Sequence, residues 1–308
     1  MNKDDLTTES THYNSDWTEL THECLINILS RLTLEELWKG AMAVCKPWME
    51  ACKDSSLHKV LDLEHYFESS TESTRWWSPE FERKIDGILK SVVDWSDGSL
   101  LEIRLRHCSD HSLVYAAQRC PKLEVLSIKS SQNVSDTAMI EVAKHCTKLK
   151  ELDISFCHEI SHESLALLGS NCPELKILKR NFMNWMDSSQ HKGIVPNGYL
   201  DALPQDGDNE AAAIAKYMPG LEVLEIRFLK LTGKGLIMIS EGCVNLQYLD
   251  LYGCANLTSR DINNASLHSK NLTVKKPNFY IPRSVYHTER YGHWRLYDER
   301  FQTDIFRI

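Results

Sequence analysis

Apolar residues recur along this chain at one spacing. Leu149, Leu152 and Ile154 set it, and it repeats at Leu123/Leu126/Ile128, Leu221/Leu224/Ile226 and Leu246/Leu249/Leu251, with a looser copy at Leu100/Ile103/Leu105. Leu175 and Leu272 open two imperfect copies, so successive starts lie 23, 26, 26, 46, 25 and 26 residues apart. Apolar and polar positions first alternate, which predicts a short strand with one buried face. The spacing then becomes helical, as at Leu165, Leu168 and Cys172, which predicts a helix packed against that strand. No single unit buries its apolar face alone, so neighbours must stack.

A period of about 20–29 residues with this order of elements is that of a leucine-rich repeat. It predicts an α/β solenoid over residues 100–275, in strand–helix units of about 26 residues with the strands lining the concave side. The 46-residue interval is one unit plus an insertion at 181–208, which holds Trp185, Met186, three glycines and two prolines without periodicity. A loop of that length is functional or disordered. The register puts Glu102, Arg104, Arg106, Val125, Ser127, Lys129, Glu151, Asp153, Ser155, Ile177, Lys179, Val223, Glu225, Arg227, Tyr248, Asp250 and Tyr252 on the concave face, free of core duty. Of these, Arg104, Arg106, Lys129, Asp153, Lys179, Glu225, Arg227, Tyr248 and Tyr252 are the candidate substrate-contacting residues, because interfaces favour tyrosine and arginine. Arg106, Lys129 and Arg227 occupy the same position in their units, which predicts a positive stripe suited to an acidic or phosphorylated segment. The competing reading is three charges on a solvated face.

Outside the repeats the pattern changes. Residues 1–16 are polar with one leucine, which predicts a disordered tail. From Trp17, Leu25, Ile28, Leu29 and Leu32 share a helical face, with Thr21 as N-cap and Glu23 in the first turn. Thr33 to Glu36 form a capping box that opens a second helix through Leu37, Trp38, Met42 and Val44, limited by Pro47. Residues 53–99 read as a helical linker and N-terminal cap, with Leu61-Asp62-Leu63 a degenerate strand and a helix starting at Ser78-Pro79-Glu80. Residues 276–308, rich in Tyr, Phe, Trp and Arg, read as a C-terminal cap or tail.

Residues 17–52 resemble an F-box, whose family pattern runs Leu-Pro-x-Glu-Leu-Leu, Ile-Phe-Ser-x-Leu, then Val-Cys-Lys-x-Trp. The matching residues are Leu20, Glu23, Leu25, Ile28, Leu29-Ser30, Leu32 and Val44-Cys45-Lys46-Pro47-Trp48; Thr21 stands for the family proline and Leu29 for its phenylalanine. Followed by leucine-rich repeats, this segment makes residues 17–275 resemble plant F-box/leucine-rich-repeat proteins of the Skp-interacting-partner group. The resemblance implies a substrate receptor of a Skp–cullin–F-box ubiquitin ligase, in the nucleus and/or cytoplasm. Leu20, Leu25, Ile28, Leu29, Leu32, Leu37, Val44 and Trp48 would bind a Skp-family adaptor, and through it a cullin and a RING subunit. The repeats would hold an unidentified protein substrate.

Composition narrows the rest. The net charge is −8, and residues 1–37 hold two basic against eight acidic residues, so a nucleic-acid partner is not expected. No apolar run suggests a membrane span, and the acidic start lacks the apolar core of a signal peptide, which predicts an intracellular chain. Ten cysteines without a Cys-x-x-Cys then read as reduced core thiols. His158-Glu159-Ile160-Ser161-His162 satisfies the zinc-hydrolase pattern H-E-x-x-H, but that chemistry needs both histidines on one helix face. The register puts the pattern across a strand-to-helix loop, so no catalytic residue, metal or cofactor is expected. The alternatives are a repeat scaffold outside ubiquitin transfer and a zinc hydrolase using His158, Glu159 and His162.

Overall fold

In the computed structural model, residues 20–69, 73–185, 193–197, 207–268 and 272–277 are described. The expected tail at 1–16 and nearly all of the C-terminal segment lie outside them, as do two arms of the insertion. Eight strands form one parallel sheet in chain order: β1 Val60–Asp62, β2 Glu102–Arg106, β3 Val125–Lys129, β4 Glu151–Asp153, β5 Ile177–Lys179, β6 Val223–Glu225, β7 Tyr248–Asp250 and β8 Thr273–Lys275. Register runs unbroken across the sheet, with Leu61, Ile103, Leu126, Leu152, Leu178, Leu224, Leu249 and Val274 in one row. That row points into a continuous core between the sheet and an outer layer of helices.

A small helical module precedes the sheet: α1 His22–Leu29, α2 Leu34–Lys39 and α3 Lys46–Ala51. Thr21 caps α1, and the Thr33/Glu36 capping box opens α2. The second helix is shorter than expected, ending at Gly40 and giving way to a 3-10 turn, Ala41–Ala43. Pro47 does not limit that helix; it sits in the first turn of α3, where its missing N–H costs nothing. The outer layer follows, after the short α4 Glu64–Glu68: α5 Pro79–Ser96, α6 Asp110–Arg119, α7 Asp136–His145, α8 His162–Asn171, α9 Gly207–Tyr217, α10 Gly233–Gly242 and α11 Ser259–His268.

Residues 53–99 prove to be more than a linker. β1 pairs in register with β2, and α5 packs beside α6 in the helical layer. This segment is therefore a first, enlarged repeat. The insertion is also tighter than expected: Asn181, Phe182, Met183 and Asn184 are buried, and Val195 joins the main core. Residues 207 and 208 already belong to α9.

Two polar devices recur between units. A carboxylate on one helix accepts hydrogen bonds from the N-cap of the next, satisfying that helix start. Asp86 accepts from the Ser109 N–H (3.0 Å) and hydroxyl (2.7 Å), Asp110 from those of Ser135 (2.7 and 2.5 Å), and Asp208 from those of Thr232 (2.9 and 2.6 Å). Asp136 likewise accepts from the Ser161 N–H at 2.8 Å. The second device spans the insertion. The Arg180 guanidinium, 1% exposed, pairs with Glu210 at 3.1 Å and donates to the Cys157 and Ile160 carbonyls at 2.5 and 2.6 Å.

Just after each strand most units take one left-handed residue: His107, Ser130, Phe156, Phe228 and Gly253, with φ of 58, 54, 63, 58 and 75°. His107 is buried among Phe67, Trp76, Trp77 and Phe81, with ring centroids 4.9–6.2 Å away. Burial first, and the neighbouring Arg106 charge second, push its pKa down to about 4. The unfolded chain would take up that proton near its ordinary value of about 6.5, so stability falls as pH drops from there to about 4. His107→Phe puts at 107 the residue that Phe156 and Phe228 carry with the same backbone. It should remove part of the acid-induced fall in the urea midpoint between those pH values, and an unchanged pH dependence would contradict the assignment.

Candidate protein-recognition site

The helical module has its own core, in which Leu25, Leu29 and Leu37 are buried with Ala41, Ala51 and Cys52. Leu20, Leu32 and Trp48 pack partly against it. This corrects the expected adaptor-contacting set: Leu25, Leu29 and Leu37 hold the module together and present no free surface. The apolar positions that do face outward are Val44, 57% exposed, and the half-buried Ile28. The stripe is single in sequence, but the fold uses its middle for packing.

The module is seated on the solenoid by aromatic contacts. Trp95 of α5 meets Trp38 edge-on at 5.9 Å and the His58 ring at 5.2 Å. Buried His58 shares a 2.6 Å hydrogen bond with the Cys52 carbonyl, and burial pushes its pKa down, favouring the neutral ring.

All nine predicted substrate-contacting residues lie on the strands or strand ends of the concave side, but the face differs from expectation. It is a lattice of ion pairs. Arg104 makes a bidentate pair with Glu151 two strands away, both contacts 3.1 Å, across the intervening β3. Arg106 reaches Glu64 at 2.8 Å, and Lys129 reaches Glu64 at 3.2 Å and Asp153 at 3.5 Å. Lys179 pairs with Glu151 at 3.2 Å; Arg227 pairs with Asp250 at 2.8 Å and with Glu225 at 3.5 Å. Burial alone would raise the Glu64 and Glu151 carboxyls, but their basic partners bring both below the usual range.

The expected positive stripe is therefore not a row of unpaired cations, because Arg106 and Lys129 are paired with Glu64 and Asp153, and Arg227 shares Asp250 with Lys275. Nor is the face wholly free of packing, since Asp153 and Asp250 are buried. Sequence reasoning missed Glu64 and Lys275. A signal for Glu64 was present: carrying the β1–β2 register on from Asp62 and Arg104 brings Glu64 level with Arg106.

His158, Glu159 and His162 do not form a zinc-hydrolase helix. His158 lies in the loop, stacked on Phe182 at 5.8 Å, while Ser161 caps α8 and His162 is its first residue. Burial, then the Arg180 charge, push the His158 pKa down to about 4.

A small helical module with its own core, set on a parallel strand–helix solenoid, defines the class: an F-box/leucine-rich-repeat architecture. An F-box-like family model matches residues 17–64. Across 297 residues the chain is 59% identical to "F-box protein SKIP1" of Arabidopsis thaliana, covering 96% of this chain and 98% of that one. It is 56% identical to "Putative F-box/LRR-repeat protein 19" of the same plant, over 91% of this chain and 93% of the relative. The chain belongs to the plant F-box/leucine-rich-repeat family. A crystal structure of the yeast Rad7 and Elc1 complex overlaps 67% of this chain and 56% of that one at 16% identity, with a TM-score of 0.45. Among the described residues no helix is long and apolar enough to cross a membrane.

Charge reversal on the concave face should now cost stability. Arg106→Glu removes a cation from a pocket already holding the largely buried Glu64 and adds a second carboxylate. We expect a loss on the order of 1–3 kcal/mol, read from the denaturant midpoint. An unchanged midpoint would mean that the lattice contributes nothing.

Proposed function

We propose that this protein is the substrate-recognition subunit of a Skp–cullin–F-box ubiquitin ligase, acting in the nucleus or cytoplasm. The observation that carries the reading is an F-box-like module packed against one end of a repeat solenoid whose strands line a broad concave face. In this reading the outward Val44 and Ile28, with Leu20, Leu32 and Trp48 beside them, meet a Skp-family adaptor. A cullin and a RING subunit then join through that adaptor, and the repeats hold the protein substrate. The subunit itself makes and breaks no bonds.

Its contribution to rate is positional. Holding a substrate beside a charged ubiquitin thioester turns a bimolecular encounter into an effectively intramolecular one. That gain requires a fixed relation between adaptor end and substrate end, and the Trp38–Trp95–His58 contact supports one. An exposed valine in a soluble protein is ordinary by itself. Its place at the Val-Cys-Lys-x-Trp ending gives Val44 its meaning here.

Ile28→Asp with Val44→Asp should abolish capture of a purified Skp adaptor while leaving the thermal unfolding midpoint nearly unchanged, because neither side chain belongs to the module core. Leu29→Asp should instead unfold the module. Full adaptor capture by the folded Ile28/Val44 double variant would sink the proposal.

A further inference from the structure

The concave face divides into two chemically different halves. In the row at the N-terminal edge of the strands, successive partners are Val60, Glu102, Val125, Glu151, Ile177, Val223, Tyr248 and Thr273. From β1 to β4 this row alternates apolar and acidic. From β5 to β7 it is unbroken apolar surface: Ile177, Val223 and Tyr248 sit side by side, each half-buried. No folding demand explains that run, since these side chains point away from the core.

The opposite edge of the same half is aromatic. Phe228 and Tyr252 meet edge to face at 5.4 Å, and the Trp185 indole N–H donates to the Phe228 carbonyl at 2.8 Å. Gly253 holds this edge close, because at φ +75° a Cβ there would lie 2.3 Å from the Phe228 ring.

Charge separates the halves further. In β1–β5, four cations face five carboxylates (Asp62, Glu64, Glu102, Glu151 and Asp153), and the cations' side chains are only 24–28% exposed. A ligand there would have to break pairs already made, and removing one partner of such a pair is costly. Beyond β5, Arg227 pairs with Glu225 and shares Asp250 with Lys275, and Lys230 adds a further cation at the aromatic edge, so among the described residues there three cations stand against two carboxylates. Arg227 and Lys275 share the one fully buried carboxylate of Asp250, and their side chains are 38 and 50% exposed. Lys230 lies over the Trp185 ring, 5.1 Å from its centroid.

We infer that the substrate site is the β5–β8 half of the concave face, and that it takes a protein segment bearing apolar or aromatic side chains together with at least one carboxylate. The inference rests on the proposal that the repeats hold a protein substrate. The apolar row and the aromatic edge supply desolvated contact area, and the under-neutralised cations between them supply the counter-charge. The β1–β4 face, with Lys179 of β5 paired to Glu151, is then a structural lattice and not a binding surface.

The test is selection of random peptides of about twelve residues, displayed on phage, against the full chain, with affinities of recovered peptides measured as synthetic fluorescent copies. Recovered sequences should combine apolar or aromatic residues with Asp or Glu. Val223→Lys and Tyr252→Ala should each weaken binding at least about tenfold, whereas Val125→Lys, at the same register in the other half, should change it less than about twofold. Lys275→Glu should weaken binding through charge alone, and more so at low salt, which keeps the inference testable should an apolar variant misfold. Absence of any enriched peptide, peptides lacking carboxylates, or loss on Val125→Lys with retention on Val223→Lys would each overturn the inference. Adaptor capture, measured separately on the same variants, should be unaffected, so failure of the site assignment and failure of the adaptor reading are distinguishable.

Discussion

The solenoid depends on keeping its strands in register across one oversized unit, and a single buried guanidinium does much of that. Arg180 stands at the end of β5, where about twenty additional residues leave the repeat path before α9 begins. Burying a charge far from water is expensive unless its donors are used. Arg180 uses them on Glu210, beyond the insertion, and on two carbonyls of the preceding unit. The strand end, the loop before α8 and the helix after the insertion are thereby fixed to one another. The parallel pairing of β5 with β6 continues as though the extra residues were absent.

Charge elsewhere follows the same economy of pairing. On the outer layer, helix acids hold the caps of the next unit; on the inner face, acids and bases interlock across strands. Both sets join neighbouring repeats and supplement apolar stacking, which is itself non-directional. The concave face therefore carries many charges and little net field. Toward β8, where the number of acids falls, the balance shifts to the cations.

Legibility in the sequence followed the range of the interactions. Strand and helix positions rest on periodicity within about 26 residues, and seven of the eight strands sit where the spacing put them. The first strand was legible as Leu61-Asp62-Leu63, but its unit is 42 residues long from Leu61 to Ile103, so the segment around it read as a linker and cap and not as a repeat. The α1 stripe showed which residues are apolar but not whether their own module or a partner covers them; Leu25 and Leu29 turned inward because α2 and α3 fold over them. Ion partners were hardest to see. Glu64 and Lys129 are 65 residues apart, and only the stacked register brings them together.

The thiols give the molecule a chemical asymmetry. Cys52 and the seven repeat cysteines are buried, and burial pushes those at 146, 157, 243 and 254 to about 12, far from the thiolate that reacts. Cys24 is exposed and Cys45 half-exposed, both in the F-box-like module. A thiol-directed fluorophore or spin probe would accordingly settle on that module alone and leave the repeats unmarked. The native chain thus carries its own labelling handles on the F-box-like module, with no cysteine to remove from the core first.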